Sequence, residues 1–207
     1  MPDNNLPLAG KKVGVLLESL YIPEEIQAYQ TDFTSLGAEV HLMSRLWDNP
    51  ALRFVSDPDG MDGDGKLKSA ETIEVSVDFD KVRLEDYAAV IMSANYTSVR
   101  LRFFPPDQQP TDAPAVKFFA RAMEDPRIIK GALCHGLWIL TPRPELLRGR
   151  RVTCHEVLRS DVLNAGAIVQ TGDDNDVVVD ADLITGHSKK EVHKFIQAIT
   201  EAILALK

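Results

Sequence analysis

The chain has 207 residues, of which 44% are hydrophobic and 26% are charged. These values are typical of a globular protein that buries a sizeable core, and they favour one domain over residues 1–207. The net charge of −8 argues against nucleic acid or an anionic membrane surface as the main partner.

The sequence carries no pattern of export or membrane insertion. Its first residues lack the apolar core and cleavage site of a secretory signal, and no run of about 18 apolar residues is present to cross a bilayer. The two cysteines do not make a disulfide framework. We therefore expect a cytoplasmic protein with two free thiols.

Buried strands and helices are predicted to alternate along the chain. Apolar runs at 11–17 and 87–94 predict strands buried on both faces, and further strands are predicted at 38–43 and 127–134. Helical patterns lie between them, and shorter strands are predicted around 151–157 and 176–186. This alternation predicts an α/β fold: a doubly wound, mostly parallel sheet flanked by helices on both faces, in a flavodoxin-like sandwich. Such sheets bind ligands at the carboxyl ends of their strands.

The predicted helices have recognisable ends. Pro23 suits the first turn of a helix, and Gly37 suits its end. A second amphipathic helix is predicted at 113–125, and a closing helix follows a possible capping box formed by Ser188 and Glu191.

One segment breaks the alternation. Residues 44–70 are rich in Asp, Gly and Pro, which predicts an acidic loop inserted at the surface. Residues 72–79 then alternate polar with apolar side chains, which predicts an edge strand or one arm of a hairpin.

Cys134 is the main candidate for chemistry. It follows the predicted strand 127–134 directly and precedes His135 and Gly136. If a helix begins at once, Cys134 lies in a nucleophile elbow, where a helix N-terminus favours the nucleophilic thiolate. The alternative is a buried structural thiol, since free cysteines are often packed in cores.

Several ordered motifs make the chain similar to the ThiJ/PfpI superfamily, within the class I glutamine amidotransferase-like fold. The elbow motif A-x-C-H-G is matched at residues 132–136, and Glu25 stands in the first helix twelve residues before Gly37. Later motifs are matched by Gly149 to Thr153, by Asn164-Ala165-Gly166 and by the sequence VVVDADLIT at 177–185. The similarity extends from about residue 11 to the C-terminus.

The resemblance implies partners for the thiol. Glu25 would be protonated and would hydrogen-bond the cysteine sulfur, whereas the alternative is an ordinary exposed acid of the first helical turn. Three histidines are candidates for the base. His135 matches the protease-like branch, His155 matches glyoxalase-type members, and His187 lies roughly where glutamine amidotransferases keep a His-x-Glu pair. Cys154 is expected to be a packed core residue.

The chain also departs from the family pattern. The turn after the strand at 87–94 is Ser93-Ala94-Asn95-Tyr96 instead of Gly-Gly. We expect the backbone N–H groups of Ala94 and His135 to donate to an oxyanion, with Asn95 and Tyr96 as further donors to substrate. The next stretch lacks the acid that the protease-like branch supplies across a subunit contact. It contains Arg100 and Arg102 near the expected mouth of the cleft, and Arg100 is expected to bind a substrate carboxylate.

The resulting functional hypothesis is a cysteine-dependent enzyme that acts on a small electrophilic substrate by hydrolase, hydratase or glyoxalase-like chemistry. It requires no cofactor, and no cysteine cluster with metal-binding spacing is present. The alternatives are a redox-responsive or chaperone-like protein whose Cys134 is oxidised, an intracellular peptidase, and a glutamine amidotransferase. A homodimer or larger homo-oligomer is expected from the resemblance.

Overall fold

The computed structural model describes residues 6–58, 66, 69–172 and 175–206. Its central sheet has seven strands, which are β1 (Lys12–Leu16), β2 (Glu39–Ser44), β5 (Val77–Asp78), β6 (Ala89–Met92), β7 (Ile129–Leu133), β10 (Val177–Asp180) and β11 (Leu183–Gly186). They lie in the order β10-β11-β7-β6-β1-β2-β5, and all neighbours are parallel except β10 and β11. The predicted α/β fold with a mostly parallel sheet is confirmed.

Helices cover both faces of this sheet. Helices α1 (Pro23–Ser35) and α5 (Val192–Ala205) pack on one face, and α3 (Pro114–Glu124) packs on the other. The short helices α2 (Thr97–Leu101) and α4 (Arg159–Asn164) follow β6 and a later 3-10 turn. In β6, Ile91 belongs to the core under α1 and α5, and Met92 belongs to the core under α3. The continuous apolar runs therefore arise because side chains of one strand alternate between two buried faces.

The predicted loop at 44–70 is wrong for part of its length. Residues Leu52–Val55 form β3, which pairs antiparallel with β4 (Thr72–Val75). Phe54 supplies the physical reason, because its buried side chain ties the hairpin to the core beneath α1. Residues 59–65 and 67–68 of the predicted loop lie outside the described residues.

The segment 72–79, predicted as one strand, is divided between two sheets. Its first half is β4 of the hairpin, and its second half is β5, which extends the central sheet beside β2. A further small parallel pair joins β8 (Arg151–Val152) to β9 (Ile168–Val169). The capping box of Ser188 and Glu191 is present on the 3-10 turn that leads into α5.

A close approach between β7 and α5 fixes the position of the strand that carries the cysteine. A Cβ atom at Gly131 would lie 2.8 Å from the ring of Phe195 and 2.9 Å from Ile199. Only glycine leaves room for α5 at this distance. Because β6, β7 and β11 are parallel neighbours, their carboxyl ends meet at one edge of the sheet, where the candidate site lies.

Candidate active site

A cleft of about 640 Å³ lies at the carboxyl ends of these strands. Cys134, His135, Asn95 and His155 line it together with residues of the β3–β4 hairpin and of the turn before α5. Most of the sequence-predicted residues are therefore brought to one place, as expected for a doubly wound sheet.

Cys134 occupies a strained turn directly after β7. Its φ is 56°, a left-handed conformation that side chains other than glycine rarely adopt, and its N–H donates to the Gly186 carbonyl at 2.8 Å. The residue is only 7% exposed. The predicted elbow is present, but a single 3-10 turn at Gly136–Ile139 follows it in place of an α-helix.

His135 contacts the cysteine directly. Its Nδ1 lies 3.1 Å from the Cys134 sulfur. The left-handed backbone of Cys134 places the side chain of the next residue over the sulfur. Burial, and then the charge of His155, lower the pKa of His135 to about 4. At neutral pH the imidazole is therefore uncharged and able to accept a proton.

The Cys134 thiol is not activated at rest. Burial raises its pKa to about 12, and the negative charge of Glu25 adds to this effect. Backbone N–H groups of Asn95 and His135 hydrogen-bond the sulfur and oppose the shift only in part. The expected thiolate at a helix N-terminus is wrong, because no α-helix follows and desolvation dominates.

Glu25 is buried and faces the same turn from α1. Both of its carboxyl oxygens accept the Ala94 N–H, at 2.9 and 3.0 Å. Burial raises the pKa of Glu25 to about 7, and the Ala94 N–H is the main opposing influence. The alternative of an exposed first-turn acid is wrong for Glu25. Its predicted hydrogen bond is made to Ala94 instead of the sulfur, so the carboxyl acts on the thiol through its charge.

The turn after β6 departs from the expected roles. The Ala94 N–H is occupied by Glu25, so the prediction that it donates to an oxyanion is wrong in this structure. The left-handed Asn95, with a φ of 63°, instead directs its N–H to the sulfur. Its side-chain amide is engaged by the Leu20 carbonyl at 2.8 Å and by Asp57, which removes it as a free substrate donor.

Two further predicted substrate contacts fall in different places. Tyr96 is half-exposed and stacks on His135 with ring centroids 5.5 Å apart. Arg100 pairs with Glu18 at 3.4 Å and lines a separate groove of about 730 Å³ with Arg102. The predicted role of Arg100 in the Cys134 cleft is therefore wrong, because α2 carries its side chain toward Glu18.

The three candidate histidines form one row. The His155 ring stacks on His135 with centroids 4.7 Å apart, and His187 stacks on His155 at 6.2 Å. His187 Nε2 lies 3.0 Å from Glu156. Among the hydrogen bonds of the described residues, His135 is the histidine that reaches the sulfur. Glu156 was missed from the sequence, although its position next to His155 is a usable signal.

Gly136 is expected to be irreplaceable at the elbow. A Cβ atom there would lie 2.8 Å from the Met92 carbonyl oxygen, a backbone atom that is unable to move alone. We expect Gly136→Ala to lower the free energy of unfolding by about 1–3 kcal/mol in urea denaturation. Gly14→Ala is the control, because its new methyl would meet side chains, the flexible end of Met43 and the ring of Tyr87, in place of a backbone atom. An equal loss in both variants would contradict the backbone argument.

Fold and site together define a class of protein: a doubly wound α/β protein with a buried cysteine in a strained turn beside a histidine. The model of the DJ-1/PfpI family matches residues 37–202. The chain belongs to the DJ-1/PfpI family, which confirms the resemblance inferred from its motifs.

Relatives agree with this assignment. The "Putative cysteine protease YraA" of Bacillus subtilis (strain 168) is 26% identical over 128 residues, which cover 62% of this chain and 68% of the relative. A two-domain protein from Anabaena variabilis, with DJ-1/ThiJ/PfpI-like and ferritin-like domains, has a TM-score of 0.73 at 24% identity. That match covers 92% of this chain and 47% of the other, so the chain spans about half of the Anabaena protein.

A third similar structure is the ThiJ/PfpI domain protein from Brachyspira murdochii. Its TM-score is 0.71 at 16% identity, with 96% of this chain and 99% of the other covered. At such identities the structural likeness shows the fold alone.

Other features of the described residues complete the site. Both cysteines are free, and Cys154 packs in the core as expected of a structural thiol. Within the described ranges, no helix is long and apolar enough to span a membrane. Over the same residues, no group of three or more His, Cys, Asp or Glu side chains is arranged to hold a metal ion.

Proposed function

We propose that the protein is a cysteine-dependent enzyme that acts on a small molecule with an electrophilic carbon. The observation that carries the proposal is the 3.1 Å contact between the Cys134 sulfur and a neutral, buried His135. A nucleophile and a base within hydrogen-bond reach are the common requirement of hydrolase, hydratase and glyoxalase-like reactions of this type.

In the proposed reaction, His135 Nδ1 accepts the thiol proton while the sulfur bonds to the electrophilic carbon. The electron pair of the C=O or C≡N bond moves to its heteroatom. The N–H groups of Asn95 and His135, which hydrogen-bond the sulfur at rest, stabilise this new anion once the sulfur is bonded to carbon. In hydrolysis, the proton passes from His135 to the leaving group, and water then displaces the sulfur from the acyl carbon and returns a proton to the thiol. In an addition reaction, the proton passes to the heteroatom or its carbon, and the S–C bond breaks as the product leaves. Because the pKa of the thiol is about 12 and that of His135 about 4, proton transfer accompanies attack and does not precede it.

Further observations bear on the redox, amidotransferase and peptidase alternatives. A redox-responsive cysteine needs a thiolate at rest, which the raised pKa of Cys134 disfavours. An amidotransferase role is weakened because His187 pairs with Glu156, whereas Glu191 caps Ser188. The name of the Bacillus relative supports a peptidase, but the segment 96–104 lacks the acid of that branch.

A substrate screen tests the proposal. Purified protein is incubated with small aldehydes, α-oxoaldehydes, amides, esters and isonitriles, and covalent adducts are mapped by mass spectrometry. We expect turnover of one class, with an adduct on Cys134. If no class reacts while dilute peroxide oxidises Cys134 readily, the redox alternative replaces the enzyme.

Loss of the base is expected to be costly. His135→Gln keeps a polar side chain but offers no ring nitrogen to the sulfur, so we expect kcat to fall about 10²- to 10⁴-fold with the substrate found above. His193→Gln is the control, because His193 is an exposed partner of Asp32 on α5. Equal rates in the two variants would contradict the role of His135.

The remaining predictions concern the setting of the enzyme. We propose that it works in the cytoplasm as a homodimer, with a small molecule as its main partner, as expected for the family it belongs to. Light scattering of the purified chain tests the oligomeric part of this proposal.

A further inference from the structure

A carboxylate that the proposed reaction does not use lies at the end of the histidine row. Glu156 accepts from His187 Nε2 at 3.0 Å, and its other carboxyl oxygen lies 3.7 Å from His155 Nε2. One exposed side chain thus contacts two imidazoles through its two oxygens. These contacts lie between two clefts. His155 lines the Cys134 cleft, and Glu156 and His187 line a smaller neighbouring cleft.

His155 makes three contacts, one through its backbone and two through its ring nitrogens. Its backbone N–H donates to the Cys134 carbonyl at 3.4 Å, and its Nδ1 accepts the Val157 N–H at 3.3 Å. Because Nδ1 is the acceptor, the proton of the neutral ring lies on Nε2, which is the nitrogen that faces Glu156. The carboxylate is therefore matched to this tautomer and to this ring orientation.

His155 in turn contacts the base. Its ring lies nearly parallel to His135, with an angle of 21° and a centroid distance of 4.7 Å. Tyr96 is also nearly parallel to His135, and Trp138 is tilted against it. His135 is thus held by neighbouring rings while its Nδ1 stays on the sulfur. Two of these rings contact carboxylates: Trp138 Nε1 donates to Asp161 at 2.7 Å, and His155 Nε2 faces Glu156 at 3.7 Å. His155 is the one of the two that stacks nearly parallel on His135.

We propose that Glu156 is a positioning residue, which holds the His155 ring against His135 and thereby keeps His135 Nδ1 on the Cys134 sulfur. This inference rests on the proposed role of His135 as the base. In this proposal, Glu156 orients the base from within the same chain. The segment 96–104, where the protease-like branch has its acid, contains no acidic residue. A buried base that is oriented by a second group is the usual requirement of such a site.

The charged groups around His155 enter the pH dependence of the test. Besides Glu156, they are the neighbouring His135 and His187 and the charged groups that line the two clefts. Those groups are Glu24, Asp57, Glu71, Lys189 and Lys190 on the Cys134 side and Arg159 and Asp176 on the other. Glu156→Ala removes one of these charges and allows the His155 ring to move. Because the His155 ring covers His135, His135 then becomes more exposed to solvent. The pKa of His135, lowered by burial and by His155, is then expected to rise.

The experiment measures alkylation of Cys134 by iodoacetamide against pH, with peptide mapping to separate it from Cys154. For Glu156→Ala, we expect a rate about three- to fivefold lower at pH 7.5, as suits an exposed ionic contact, and an acid limb shifted to higher pH. Glu156→Gln is expected to keep at least half of the wild-type rate, because its amide oxygen accepts from His155 Nε2 while its NH2 group faces His187. In a His155→Ala background, Glu156→Ala is expected to have no further effect.

Two outcomes overturn the inference. One is a wild-type rate and pH profile for Glu156→Ala, and the other is an equal loss in the absence of His155. Glu145→Ala is the control, because Glu145 is also an exposed acid, paired with Arg143 on another 3-10 turn. Alkylation needs no substrate, so the two proposals are tested separately. Absence of turnover in the substrate screen would contradict the proposed enzymatic function, and an unchanged alkylation rate in Glu156→Ala would contradict the proposed role of Glu156.

Discussion

Replacing Cys134 with serine is expected to reduce turnover by about 10³-fold or more, because it removes the nucleophile of the proposed reaction. A serine hydroxyl is a far weaker acid than a thiol, and burial at this position already raises the pKa of the thiol to about 12. The neutral His135, with a pKa of about 4, is too weak a base to activate the hydroxyl.

The measurement is kcat/KM with the substrate class found in the screen, together with a mass-spectrometric search for the covalent adduct. Cys154→Ala is the matched control, because Cys154 is the second buried thiol and packs in the core. We expect it to keep most of the activity. Turnover that survives in Cys134→Ser, or that is lost equally in Cys154→Ala, would show that Cys134 is not the nucleophile.

Glu25→Gln is expected to stabilise the protein in a strongly pH-dependent way. Burial raises the pKa of the folded carboxyl from 4.5 to about 7, so the folded state binds this proton more tightly than the unfolded state. The resulting stabilisation is complete below pH 4.5 and is lost as the pH rises through 7. A shift of this size corresponds to about 3 kcal/mol.

The glutamine keeps an oxygen that accepts the Ala94 N–H but carries no charge at any pH. Urea unfolding of both proteins at pH 4.5 and pH 8 is therefore expected to show a difference in unfolding free energy that grows by about 3 kcal/mol in favour of the variant. Glu24→Gln is the control, since Glu24 is the exposed neighbour in the same helical turn. A difference that does not change with pH would mean that the Glu25 carboxyl is solvated.

Much of the fold was predictable from the sequence because it follows from apolar patterning. The strands β1, β6 and β7 are continuous apolar runs, and α1 begins at Pro23 and ends just before Gly37 as expected. The hairpin was less visible. Strand β3 has only four residues beside a stretch rich in Asp and Gly, and Phe54 is the side chain that anchors it.

The composition of the site was predictable, whereas its hydrogen bonds were not. Cys134, His135, Glu25 and His155 are brought together because strand ends and helix starts of this topology meet at one edge. The partner of each group depends on backbone angles and burial that local sequence does not reveal. The left-handed φ of Cys134 decides where His135 points, and the depth of Glu25 decides that it takes the Ala94 N–H.

The hydrogen bond from the Asn95 amide to Asp57 joins two sides of the cleft, the sheet edge and the segment that follows β3. Asn95 holds one N–H on the sulfur while its amide grips Asp57, and Ser56, Asp57 and Glu71 line the cleft from the hairpin side. In the proposed enzyme, bond making would fall to the sheet edge, and the hairpin side of the cleft would contribute to the choice of what enters. Any exchange of the hairpin would have to preserve the contact between Asp57 and Asn95, because that contact joins the entrance of the cleft to the residue that holds the sulfur.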